Sequence, residues 1–154
     1  MSFAYTLTVE EKDFPLLAFD YDLEQAFLPN GKPNGGVSGG RIRFLMEVQD
    51  ETLFSSWMFD WRSTKDGSIT VNRIDQASKF KEVKFTKAYM ISMAESFVVD
   101  GDASLISAGY DAGAYDIYRW TTGLQSRMDR AYVLCCEIMA QTINIDGIAH
   151  DNKW

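Results

Sequence analysis

With 154 residues, 46% of them hydrophobic and 24% charged, the chain is sized for one domain and composed like an ordinary globular protein. A net charge of −7 speaks against sequence-independent nucleic-acid binding, which needs a basic footprint, and against docking on anionic membranes. No stretch approaches the ~18 consecutive apolar residues of a membrane span, and the opening MSFAYTLTVEEKDF has neither the basic head nor the apolar run of a signal peptide.

In chain order, strand signals dominate. Residues 3–9 (FAYTLTV) are rich in β-branched and aromatic side chains. Residues 14–27 alternate in their second half, with Phe19, Tyr21 and Leu23 on one face and Asp20, Asp22 and Glu24 on the other. The segment 30–44, NGKPNGGVSGGRIRF, is glycine-rich and then turns into a strand over 40–48, with Ile42, Phe44, Met46 and Val48 opposite Arg41, Arg43 and Glu47. Residues 50–60 break the rhythm: Leu53, Phe54, Trp57 and Met58 fall at helical spacing, Asp50 is placed to cap, and Glu51 lies in the first turn. A helix of two to three turns is unstable alone and must pack on a sheet.

An Asp66-Gly67 turn is expected to lead into a strand over 65–74. Residues 79–99 place Val83, Phe85, Tyr89, Ile91, Met93 and Phe97 on one parity, but Lys81, Lys87 and Glu95 interrupt it, so this strand should bend. Residues 131–145 are apolar on both parities, as in a strand covered on both faces, which sends the adjacent Cys135 and Cys136 to opposite sides and leaves them as buried thiols. The aromatic-rich segment 98–130 gives no assignable pattern. The fold class is therefore mainly β, one domain over 1–154, with one short helix.

Little here points to catalysis, a metal or a cofactor. The glycines Gly35, Gly36, Gly39 and Gly40 lead into a strand rather than a helix, and no Lys-Ser or Lys-Thr follows them, so they do not form a phosphate cradle. Asp20, Asp22 and Glu24 read as a solvated or lumen-facing sheet surface. His150 is the single histidine, so no nucleophile, base and oxyanion donor can be assembled around a second one. Lys79, Lys81, Lys84 and Lys87, interleaved with Glu82, read as a solvated or subunit-facing strand surface rather than a nucleic-acid track.

Several segments resemble one family in their order and spacing. They are MSF at the start, Gly39-Gly40 before the third strand, LFSSWMFD (53–60), GSITV (67–71), KFKEVKFTKAY (79–89), ESF (95–97) and INIDGIAHDNKW (143–154). Together they resemble the tube protein of the type VI secretion system (Hcp, or TssD), in its Bacteroidetes form. The resemblance covers 1–97 and 131–154, and departs from the family at 98–130, which reads as an insert. It implies a small β-barrel with a helix packed on its side, six copies closing into a ring, rings stacking into a tube, and effectors carried inside. It also implies sheath, spike and effector partners, no catalysis, no cofactor, and assembly in the cytoplasm followed by export on firing. Contacts between subunits or rings are expected at Asn34, Gly35, Gly36, Val37, Gly39, Gly40, Leu53 and Trp57, and a structural tail at His150, Asn152 and Trp154. The alternative is a monomeric β-barrel holding an apolar ligand inside.

Overall fold

The computed structural model describes residues 3–47, 49–76, 78–99 and 130–152. Most of the expected insert, 100–129, and Trp154 lie outside them. The described chain forms eight antiparallel strands and one helix: β1 (Phe3–Val9), β2 (Lys12–Leu16), β3 (Ala18–Phe27), β4 (Pro33–Glu47), α1 (Leu53–Phe59), β5 (Lys65–Arg73), β6 (Ser78–Val99), β7 (Arg130–Ile145) and β8 (Ile148–Asp151). The mainly-β class with one short helix is as expected. Two hairpins close through two-residue loops at positive φ: Glu10-Glu11 between β1 and β2, and Asp146-Gly147 between β7 and β8. That is the loop geometry whose twist matches antiparallel strands.

The strands run in the order β2-β1-β5-β6-β7-β4-β3, with β8 added to β7. No ladder joins the two edges β2 and β3, so the sheet is curled rather than closed by pairing. They are nevertheless successive parts of one chain segment. It pairs with β1 up to Leu16, donates the Leu17 backbone N–H to the Leu45 carbonyl (2.8 Å), and pairs with β4 from Ala18 onward. The segment thereby bends from one edge of the sheet to the other. Inside the curl, Leu7, Ile42, Phe44, Ile69, Phe85 and Ile138 are fully buried. A core filled this way is the opposite of the ligand-holding interior of the monomeric alternative. Leu45, Val133 and Cys135 are buried on the outer face of the same strands, and Cys136 on the inner, so β7 is covered on both sides.

β6 does bend. Val83 and Phe85 point into the core, Lys87 takes φ +50°, and the inward alternation resumes one residue out of phase at Ala88 and Met90. The expected parity therefore fails just beyond Phe85, where Ala88 is buried and Ile91 exposed, and returns at Met93, which packs against the inner core after a second register shift between Met90 and Ser92. The Lys87 N–H is taken by Asp66 Oδ1 (2.8 Å). The Asp66-Gly67 pair is not a turn. It lies within β5, at a register shift, and Gly67 is glycine because a Cβ there would stand 2.5 Å from the Thr8 carbonyl oxygen and 2.6 Å from the Phe85 ring.

The pairing of β5 with β6 ends at Lys65 and Ala88, and α1 takes over the edge of β6 beyond that point. The indole N–H of Trp57 donates to the Ala88 carbonyl (3.0 Å), satisfying a backbone acceptor where the ladder runs out. Phe54 packs edge-on to Phe14 with centroids 4.9 Å apart, and the Lys12–Glu51 ion pair (2.9 Å) ties the helix entry to β2. Asp50 does not cap the helix. Glu51 Oε1 accepts the N–H groups of Thr52 and Leu53 at 3.0 and 3.2 Å, and the Lys12 ammonium holds its carboxyl below the usual carboxylate range.

Candidate functional site

The glycine-rich segment is not a loop. Pro33 to Gly39 are the first half of β4, paired with β3 as far as Phe27, and the connection is only 28–32. Both strands are exposed from Asp22 to Ser38, so this half of the hairpin is an arm standing clear of the core.

The arm leaves the sheet because β7 changes partner. Its upper part, through Met139, pairs with β4 as far down as Arg41, and from Thr142 onward the same edge of β7 is taken by β8. Between the two ladders, Ala140 and Gln141 would lose partners. Asn152 supplies them. Its backbone N–H donates to the Gln141 carbonyl (2.7 Å), and its side-chain NH2 donates to the carbonyls of Ala140 (2.9 Å) and Gly39. Its Oδ1 accepts the Gly39 N–H (3.4 Å) and faces His150 Nε2 (3.2 Å). Since Nδ2 is committed to two carbonyls, Oδ1 can only accept, and Nε2 is the nitrogen of His150 that carries the proton in this contact.

Gly40 stands at the departure point with φ +100°, a backbone conformation side chains disfavour. A Cβ there would collide with the Ala140 carbonyl oxygen and lie 2.6 Å from Asn152 Nδ2, while one on Gly39 would strike the Leu23 side chain. The two glycines make room for Asn152 and Leu23 of their own chain, whereas the sequence suggested close approach by another copy. A cleft of about 640 Å³ opens between the arm and β8, lined by Asp22, Glu24, Val37, Arg41 and Met139 together with His150 and Asp151. Arg41 is held by Glu137 (3.0 Å), and Asp20 forms a two-pronged pair with Arg43 (2.8 and 2.9 Å) at the arm's root.

The expected contact residues thus separate. Asn34, Gly35, Gly36 and Val37 are exposed on the arm, Gly39 and Gly40 are at its hinge, and Leu53 and Trp57 are covered by their own protomer. His150 and Asn152 of the expected tail join the hinge. Apolar side chains missed in the sequence stand outside instead: Leu23 and Phe27 on the arm, Phe59 at the end of α1 and Trp61 just after it. Alternation cannot find these, because it reports a side chain's face and not whether the chain has left the core. Among the described residues no group of three or more His, Cys, Asp or Glu could hold a metal ion, and no helix is long and apolar enough to cross a membrane.

A curled sheet with a solid core carries a two-stranded arm clear of it and large apolar groups held outside, features of a protein–protein contact surface. The family model for hemolysin coregulated protein Hcp (TssD) matches residues 1–108, and the chain belongs to that family of type VI secretion tube proteins. It is similar over 97% of its length to Hcp1 from Flavobacterium johnsoniae, covering 99% of that chain at 28% identity and a TM-score of 0.73. The fold is shared with Hcp1 from Salmonella typhimurium, at 9% identity and a TM-score of 0.62, with 94% of this chain and 86% of that chain covered. It is also shared with the anti-feeding prophage tube-terminating cap, at 11% identity and a TM-score of 0.50, with 93% and 87% covered. A search of curated proteins found no match.

Proposed function

We propose that this chain is a structural subunit of a type VI inner tube, in which six copies close into a ring and rings stack. Family membership over 1–108 carries the reading, and the arm, anchored at its base but exposed along both strands, supports it. A closed ring needs two different patches that fit each other. The arm is one, with Asn34, Gly35, Gly36 and Val37 among its contact residues. Its free strand edges and its apolar Leu23 and Phe27 suit contact with a neighbouring copy. The chain acts without catalysis. Its further partners are the sheath around the tube, the spike ahead of it and effectors inside it, with assembly in the cytoplasm preceding export.

Residues 1–154 are read as one tube-protein domain. Near-complete mutual coverage with the Flavobacterium protein supports this. We further propose that the expected insert at 98–130 carries a partner contact of its own.

Native mass spectrometry with negative-stain imaging tests the proposal. Rings with a central hole, at about six times the 17.5 kDa chain mass, are expected. A monomer at all concentrations up to the millimolar range would refute it.

A further inference from the structure

The Asn152 side chain makes the first rung of a ladder that no strand continues. A peptide group on an added strand would accept a residue's N–H and donate to its C=O, and the Asn152 amide does both to Gly39. The backbone groups of Gly39 therefore point away from β3. Val37 keeps unbroken register with Gly39 along β3, so alternation sends its N–H and C=O the same way, toward the cleft. Among the described residues no strand pairs with that edge of β4 below Arg41.

The opposite wall is built alike. The Asn152 N–H bonds to the Gln141 carbonyl, so the same alternation turns the backbone groups of His150 toward β7 and those of Asp151 away from it. Asp151 thus presents its N–H and C=O on the free edge of β8, where it lines the cleft. β4 and β8 each run antiparallel to β7, and so parallel to one another. A single added strand can therefore run antiparallel to both. The cleft's volume of about 640 Å³ is in the range that holds ligands, roughly 300–1,000 Å³. Its charge is negative: Asp22 and Glu24 face it from β3 and Asp151 from β8, while Arg41 is already paired with Glu137 (3.0 Å). Val37 and Met139 add apolar surface.

We propose that the cleft is a strand-addition site, which takes an extended peptide of alternating basic and apolar residues from a partner protein. The peptide continues the ladder that Asn152 begins, bonded to Val37 on one side and Asp151 on the other. Main-chain bonds supply affinity in this mode of recognition, and alternate side chains supply specificity. Here the carboxylates of Asp22, Glu24 and Asp151 select for lysine or arginine, and Val37 and Met139 pack the apolar positions. Open strand edges are normally blunted, and this one is blunted only at its root, by Asn152. The proposal concerns the protomer and does not rest on the ring reading.

The test titrates the full-length protein with a blocked hexapeptide of alternating lysine and valine, followed by calorimetry and hydrogen exchange. One peptide per protomer is expected, with amides of 36–38 and 149–151 gaining protection and those of the core unchanged. A glutamate–valine peptide, which loses the charge match, and a lysine–valine peptide N-methylated at alternate residues, which loses donors, should each bind at least about tenfold more weakly. Val37→Pro removes the N–H that faces the cleft and spares the β3 ladder, since proline is tolerated on a free strand edge. It should weaken binding about fivefold, one hydrogen bond's worth. Asp22→Asn/Glu24→Gln should narrow the gap between the lysine and glutamate peptides. Circular dichroism checks that each variant folds. No binding of the lysine–valine peptide at millimolar concentration, equal binding of all three peptides, protection at a different strand edge, or an unaffected Val37→Pro would each overturn the site. Protection of 36–38 that rises with protein concentration and no peptide would make a second copy the occupant, and would overturn it too.

Discussion

Replacing Asn152 tests whether one side chain holds the arm at its base. Asn152→Ala removes the donors to Ala140 and Gly39 and the acceptor for the Gly39 N–H and His150, but leaves the backbone bond to Gln141. A neutral hydrogen bond contributes about 0.5–1.5 kcal/mol net. Asn152 is half-buried, so water replaces part of what is lost. The expected cost is roughly 2–3 kcal/mol for the set, which for a chain of this length lowers the melting temperature by about 4–12 °C. Asn152→Asp should cost more than Ala, because a carboxylate then faces two carbonyl oxygens. Hydrogen exchange locates the effect: amides of 36–40 and 140–142 should lose protection before those of Ile69 or Phe85. A melting temperature unchanged in both variants, or exchange spread evenly over the sheet, would refute the anchoring role.

Gly40→Ala should destabilise the ring-free protomer by about 1–3 kcal/mol in chemical denaturation, through strained backbone and the clash with Ala140. Gly36→Ala, where a Cβ meets nothing within 4 Å, should cost far less. Acid should weaken the corner where the β7–β8 turn meets β6. The Glu82 backbone N–H and then Lys81 hold Asp146 below its ordinary pKa, and Lys79 and Lys84 do the same for Glu82. Depressed carboxylates stabilise fully above their unfolded values near 4 and lose that contribution as pH falls through the folded ones. A melting temperature that drops below about pH 4 is expected, with a shallower drop in Asp146→Asn; equal slopes would count against this pairing.

Strand existence was legible where one face stays buried throughout. β1 spans 3–9 as its composition suggests, and β6 and β7 lie within a residue of the expected runs, because alternation and β-branched content report a continuous half-buried ladder. The exchange of partners was not legible. Residues 14–27 look like one strand and are one chain path, yet they serve β1 and then β4, a division visible only in the Leu17 hydrogen bond. Glu10-Glu11 adopts a left-handed loop without the Asn-Gly or Asp-Gly that would announce it. Leu53 and Trp57 show apolar spacing whether the helix faces a core or a neighbour, so periodicity could not separate the two. Gly39-Gly40 and Asn152 were each noticed singly, but 112 residues separate Gly40 from Asn152, and no spacing rule joins them.

The partner switch along β7 explains why the arm and the C-terminal strand belong to one device. If β4 continued down β7 beyond Arg41, it would occupy the edge that β8 takes at Thr142, and the β3–β4 hairpin would lie flat on the sheet. β8 occupies that edge instead, and Asn152, directly after it, satisfies the carbonyls that the changeover strands. The arm therefore projects because the chain's last strand displaces it, and Gly40 is the hinge at which the displacement is absorbed. Any change that loosens β8 should let β4 compete for the free edge of β7 and fold the arm inward. The surface offered to a neighbouring copy is thus set by residues on the far side of the cleft, not only by the residues that would touch that copy.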